Sequence, residues 1–233
     1  MNNAPLITCI VPVYNGERFV GETVDSMLAQ TYRPIEVVVV NDGSTDGTAK
    51  ILGQFGDRIT VVNQENAGQA AARNHGLKVG KGDFFAFLDA DDLWLPEKLE
   101  LQIAFMAAHR DADLCTCMME NFWEAEMAEE AEQLRDTDHA RPYLATWQGI
   151  LARREVFDRV GTLDTGVAFS DVREWLHRAK GMGVTVEHLD KVLVRRRIHA
   201  NNLSRGRGDH DPDLLLRLAE RALARRRVSA SQG

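Results

Sequence analysis

The sequence predicts an α/β fold with a mainly parallel sheet and helices on both of its faces. Short β-branched apolar stretches alternate with stretches whose apolar residues recur at helical spacing. One of the former, residues 35–40, is almost continuously β-branched, as a strand covered on both faces should be. Polar and acidic clusters fall where the strands end, and in open parallel sheets ligands sit beyond those ends.

Each element follows from its own residues. Residues 6–13 read as the first strand, which closes on Pro12 and a Tyr14-Asn15-Gly16 turn. Phe19, Thr23, Val24, Met27 and Leu28 then recur at helical spacing. After the strand at 35–40 comes a turn, Asn41-Asp42-Gly43-Ser44, and Ser44 and Thr45 start a helix that runs to about Leu52. A third strand covers 59–62 and an Ala-rich helix covers 68–79. A fourth strand, 84–88, ends in Asp89-Ala90-Asp91-Asp92, and Pro96 opens a helix carrying Leu99, Ile103 and Met106. The second half is less regular. Residues 120–138 are strongly acidic and form either an amphipathic helix or a mobile flap. Short helices are expected at 154–160 and 171–179, and strands at 184–189 and 192–198. Residues 211–227 predict a final helix with Leu214, Leu215, Leu218 and Ala222 on one stripe.

Composition narrows the functional classes. Of 233 residues, 44% are apolar and 27% charged, an ordinary globular balance with chain enough for a sizeable core. The 28 Lys and Arg against 35 Asp and Glu leave a net charge of -7, so no general nucleic-acid footprint is expected. An anion such as a diphosphate would need a local cation or a metal. Cys9, Cys115 and Cys117 are too few for a disulfide framework and read as small buried residues. The N-terminus lacks the basic start and apolar core of a signal peptide, and no run approaches the ~20 apolar residues of a spanning helix. A cytoplasmic location is expected.

Five clusters carry the chemistry. Asp89, Asp91 and Asp92 place three carboxylates in four residues. At ~4 Å each like-charge pair costs about 4 kcal/mol at an effective dielectric of 20. A divalent ion removes that penalty, and oxygen ligands favour Mg²⁺ or Mn²⁺; the alternative is an acidic turn capping the next helix. Asp42, at the end of the second strand, can accept the N–H of a pyrimidine ring or can simply build its turn. Arg73 can pair with Asp42 or a phosphate, or can be a solvated arginine. Asp171 can act as a general base, or can open a helix in a capping box with Glu174. His199 can bind a metal or a phosphate oxygen, or can be structural.

Together these residues resemble the family 2 glycosyltransferases of the GT-A fold. Val11-Pro12-Val13-Tyr14-Asn15-Gly16 is similar to that family's opening strand and loop. Gln30-Thr31-Tyr32 with residues 36–47, Glu65-Asn66-Ala67-Gly68 through Ala72-Arg73-Asn74, and Phe87-Leu88-Asp89-Ala90-Asp91-Asp92 resemble the next three segments. Residues 151–161 with Leu163-Asp164 resemble the stretch that closes over the acceptor side, and Arg197-Ile198-His199 with Asn202 and Ser204 resembles a late Arg-x-His element. Six motifs in this order span residues 6–204.

The resemblance implies a Rossmann-like sheet with a smaller acceptor-side region. Residues 1–117 would be the nucleotide-sugar-binding half, 118–210 the acceptor-side and catalytic half of the same domain, and 211–233 a C-terminal helix and tail. It implies a metal-dependent, inverting transfer of a sugar from a nucleotide diphosphate donor, with UDP favoured, to a hydroxyl acceptor. Pro12, Tyr14, Asp42, Arg73 and Asp89 would hold the nucleotide. Asp91 and His199 would hold Mn²⁺ or Mg²⁺, with His199 near the diphosphate. Asp171 would be the base, although Ser170 stands where the family commonly has Glu, and Glu174 is the second candidate. The acceptor (glycan, lipid-linked, small molecule or peptide) stays open, and Arg225 to Arg227 could touch anionic lipid. The rivals are a non-catalytic nucleotide-sugar binder and a nucleotidyltransferase. The latter should carry a Gly-rich phosphate loop, which this chain lacks near its first strand.

Overall fold

A computed structural model describes residues 4–144, 146–166 and 171–203. The expected helix at 211–227, Ser170, Ser204 and the Arg225 to Arg227 cluster lie outside them. The chain divides into two compact units, Met1–Ile198 and His199–Gly233. The first holds all of the sheet.

Strand β1 (Ile7–Val13) lies between β2 (Ile35–Asp42) and β4 (Phe84–Phe87), parallel to both, and β3 (Thr60–Gln64) extends the sheet beyond β2. Helices α1 (Val20–Leu28), α2 (Thr48–Gly53) and α3 (Gln69–Val79) connect these strands. After β4 the chain makes the acidic turn, pairs briefly as β5 (Leu93–Trp94), and enters α4 (Lys98–Ala108). Then come β6 (Leu114–Trp123), α5 (Ala128–Leu134), β7 (Tyr143–Leu144), β8 (Leu151–Arg153), α6 (Arg154–Val160), α7 (Asp171–Gly181) and β9 (Val186–Ile198). The strand order is β3-β2-β1-β4-β8-β6-β9-β5, with β7 on β6.

Strand alternation feeds two cores. Ile7, Cys9, Val11 and Val13 point to one face and pack with Val24 and Met27 of α1 and Leu99 and Met106 of α4. Ile10, Phe85 and Phe87 point to the other, with Phe157 of α6 and Trp175 of α7. All three cysteines are free and buried, as their apolar surroundings suggested. Helix α3 sits so close to β1 that a Cβ on Gly76 would meet Ile10 Cγ2 at 2.5 Å.

The acidic turn shapes the sheet. Four strand spacings of about 4.8 Å separate β4 from β5 in a flat sheet. Residues 88–92 cannot reach that far, because Asp92 N–H folds back onto Asp89 O at 3.2 Å. The sheet therefore curls until β5 comes beside the β4 end.

Some local expectations change. The helix expected from Ser44 begins at Thr48. Ser44 and Thr45 are used instead to pin the first loop: Ser44 Oγ accepts from Asn15 N and Thr45 N donates to Asn15 Oδ1. The two late strands are one, β9, whose pairing with β6 slips at Cys117 to Met119. The polar residues that suggested a break, Asp190 and Lys191, are exposed at that slip. The acidic stretch is neither one helix nor a loose flap. It starts as the end of β6, then turns through Ala125–Met127 into α5. Arg18 ties it down through Glu124 and Glu126, and Arg197 does so through Glu124.

Candidate active site

The parallel strands bring their carboxyl ends to one side. Val38, Ile10 and Phe87 are level across β2, β1 and β4, so Asp42 and the acidic turn lie past the same edge of the sheet.

Asp42 is buried and accepts three hydrogen bonds. Oδ1 takes Gln64 Nε2 at 2.7 Å and Ala67 N at 2.8 Å; Oδ2 takes Gly68 N at 2.9 Å. Gly68 has φ +88, and Gly43 next to Asp42 has φ +76 and packs on Asn66, where a Cβ would strike. The turn-building reading of Asp42 is thus realised, across to the start of α3 rather than at α2. Pro12 is buried in β1 opposite Val40, while Tyr14 just beyond is 53% exposed.

Arg73 is 2% exposed, on the face of α3 shared with Ala72, Gly76 and Leu77. It is not a solvated arginine. Nη2 donates to Asp89 Oδ1 at 2.6 Å, and Nη1 donates to Asp171 Oδ2 at 2.7 Å. Asp42, the partner considered from sequence, is held by other donors. One guanidinium therefore joins the end of β4 to the start of α7.

Protein donors also meet the acidic turn. Asp89 Oδ2 accepts from Gln148 Nε2 at 2.6 Å. Asp92 accepts from Arg197 N at 3.0 Å and from Gln148 Nε2 at 3.1 Å. Burial raises the Asp89 carboxyl above its ordinary range, against Arg73, which lowers it. Burial, then the charges of Asp91 and Asp89, pushes the Asp92 carboxyl well above that range. Arg197 locks the turn from outside. Its Nε donates to Asp91 O at 3.0 Å, Nη2 reaches Glu22, and its plane lies over Phe19 and Phe122. Arg73, Gln148 and a backbone N–H thus already offset part of the repulsion among these carboxylates.

The donor set suits a hard divalent ion that brings other ligands with it. It is oxygen-only, and among the described residues no cluster of three His, Cys, Asp or Glu side chains is poised around one point. Half-buried Asp91 is the candidate protein ligand, and phosphate oxygens and water would complete the shell, the usual pattern for Mg²⁺. His199, in the second unit, accepts Asn201 N at Nδ1 (3.2 Å).

Asp171 is 7% exposed, and its Oδ1 accepts Val172 N at 3.0 Å. Glu174 is held by Arg178, which also binds Val160 O and Thr162 O, so it fastens α7 to the loop before it. An open groove of about 600 Å³ lies along α3 beside Gln64, Asn74, His75, Lys78 and Thr162, away from the acidic turn.

Sequence reasoning missed Gln148. Its signal was slight: one amide in the apolar run that ends in Ile150 and Leu151.

These features define an α/β domain whose candidate ligand site lies beyond the carboxyl ends of its parallel strands, with acidic side chains and the buried Arg73 at its centre. The chain belongs to glycosyl transferase family 2, whose model matches residues 8–160. The uncharacterized glycosyltransferase EpsJ of Bacillus subtilis is 30% identical over 219 residues, covering 86% of this chain and 63% of that protein. An uncharacterized glycosyltransferase of Rickettsia typhi is 49% identical over 100 residues, 43% of this chain and 31% of that protein. The chain thus spans only about a third of the first curated relatives it matches. Among solved structures, S. aureus TarS 1-349 in complex with UDP-GlcNAc has a TM-score of 0.68 at 23% identity, over 84% of this chain and 59% of that one. The mannosyltransferase PcManGT from Pyrobaculum calidifontis, in complex with GDP-Man and Mn²⁺, has a TM-score of 0.66 at 23% identity, over 86% and 59%. These likenesses establish the GT-A fold. No helix among the described residues is long and apolar enough to cross a membrane.

Proposed function

We propose that the chain is the catalytic part of a metal-dependent, inverting glycosyltransferase that takes its sugar from a nucleotide diphosphate, with UDP favoured. The observation that carries this is the Asp171–Arg73–Asp89 bridge, with contacts of 2.7 and 2.6 Å. It sets a candidate base from the acceptor side and a candidate donor-site carboxylate at opposite ends of one guanidinium.

Tyr14 offers an exposed ring beside the base site. Pro12 shapes the wall behind it, and Asp42 orders the loop that the base would meet. Arg73 and Asp89 serve the nucleotide side. Asp91 holds Mn²⁺ or Mg²⁺, which as a Lewis acid would offset charge on the leaving diphosphate. Asp171 takes the proton of the acceptor hydroxyl as that oxygen attacks the anomeric carbon and the bond to the diphosphate breaks. One base with no enzyme nucleophile gives a single displacement and inversion. Glu174, paired with Arg178 as Asp171 is with Arg73, is the second candidate for that role. The named ligands of TarS and PcManGT, UDP-GlcNAc and GDP-Man, support a nucleotide-sugar donor here. We place the reaction in the cytoplasm.

A thermal-shift screen of UDP, GDP and related diphosphates, with and without Mn²⁺, tests the donor site. Stabilisation by one nucleotide, dependent on metal, is expected; no shift with any of them removes the proposal. Asp171→Asn is expected to keep nucleotide binding and lose sugar transfer. Turnover retained in that variant would put the base elsewhere.

A further inference from the structure

Asp89 and Asp92 each keep one carboxylate oxygen after Arg73 and the Arg197 N–H have been assigned. Both of those oxygens, Asp89 Oδ2 and Asp92 Oδ2, meet the same nitrogen, Nε2 of Gln148. An amide NH₂ has two hydrogens, and here each serves one carboxylate.

The sense of that amide is set locally. Thr146 Oγ1 donates to Gln148 Oε1 at 2.5 Å, which keeps the carbonyl end away from the acids. Gln148 is 6% exposed. Its short turn, Trp147–Gly149, is held from beneath: Trp94 Nε1 donates to Gln148 O at 3.0 Å and Gln102 Nε2 donates to Gly149 O at 2.7 Å. Gln102 is oriented in turn by Lys98, whose wholly buried ammonium can only donate and does so to Gln102 Oε1 at 2.7 Å. Lys98, Gln102 and Trp94 thus fix the backbone of the turn that carries the Gln148 amide. The same turn sets the Trp147 ring against Arg73, 5.9 Å from the guanidinium carbon.

We infer that Gln148 is a positioning residue for the donor site: its amide clasps Asp89 and Asp92 and keeps the acidic turn in one shape before any ligand arrives. The effect assigned to that shape on nucleotide binding rests on the function proposed above; the clasp itself does not. Groups that orient metal-site carboxylates from behind are worth about 10–100-fold in metal affinity or activity.

The test uses Gln148→Leu, Gln148→Glu and Thr146→Val in the full chain. The first readout is amide hydrogen exchange of residues 88–95 without ligand. The second is UDP affinity by calorimetry across a Mn²⁺ series. Gln148→Leu should raise exchange in that segment and weaken Mn²⁺-dependent UDP binding by about tenfold or more. Gln148→Glu keeps the shape but turns donors into a fourth carboxylate, so it should be worse than Leu; a space-filling role predicts the reverse order. Thr146→Val, which only frees the amide to flip, should shift both readouts the same way by a smaller factor, and it decides the matter if the Gln148 variants do not fold. Wild-type exchange, or wild-type affinity at every Mn²⁺ concentration, overturns the inference. If the wild-type chain binds no nucleotide, the proposed function falls, and exchange alone decides whether Gln148 holds the turn.

Discussion

Replacing Arg73 with Met removes the one cation shared by Asp89 and Asp171 and keeps roughly the same length of apolar stem. Arg73 and Asp171 are almost fully buried, whereas the Asp89 side chain is 25% exposed and keeps its bond to Gln148. Breaking a buried ion pair from one side costs about 3–5 kcal/mol. Solvent and Gln148 compensate Asp89 in part, so the lower end, about 3 kcal/mol, applies here. For a chain of this size that is a fall in melting temperature of about 6–12 °C. Pairing the change with Asp171→Asn should recover part of the loss, because a neutral amide does not need the cation. The two effects should then fall short of additivity by about 1 kcal/mol or more. Scanning calorimetry of the four proteins at neutral pH measures this. A drop below about 2 °C for Arg73→Met, or simple additivity, would refute the reasoning that the bridge is buried and shared.

Gly76→Ala should destabilise despite the better helix propensity of alanine. The added methyl meets Ile10 Cγ2 at 2.5 Å, and overpacking of this kind costs about 1–3 kcal/mol against a propensity gain of about 1 kcal/mol; a raised melting temperature would mean α3 can lift off β1. The thiols should be silent in the native protein. Burial pushes Cys9 and Cys115 from the usual 9.0 up to about 12 and raises Cys117. At pH 8 an aromatic disulfide reagent should therefore label none of the three until denaturant is added. Because these folded-state values lie above the unfolded ones, their contribution to stability is complete below about pH 9 and is lost as pH rises towards about 12.

The fold was legible wherever a short segment decides its own conformation. The β-branched run at 35–40 and the Phe-rich run at 84–87 cannot be satisfied except as covered strands, and both are strands of the central sheet. Asp89, Asp91 and Asp92 stood out because three like charges in a row demand an explanation. Arg73 was only half legible. Its pairing was foreseen as one option, with Asp42 or a phosphate, against a solvated arginine as the other, but its actual partners lie 16 and 98 residues away. Gln148 was hidden for the same reason, with Asp89 59 residues off in the chain. The break expected near Asp190 failed because a bulge lets a strand carry two exposed polar residues without ending.

One ladder has a consequence for motion and modularity. Strand β9 pairs along nearly the whole of β6 and then with β5, so the sheet runs unbroken from β3 to β5. A cut at residue 117 would sever β6 in mid-strand and part residues 114–117 from their partners 186–189 in β9. Among the described residues, the stretches on either side of residue 117 therefore share one sheet and cannot be exchanged between proteins as separate cassettes. Rearrangements that keep this ladder intact are confined to the loops that ride on the sheet.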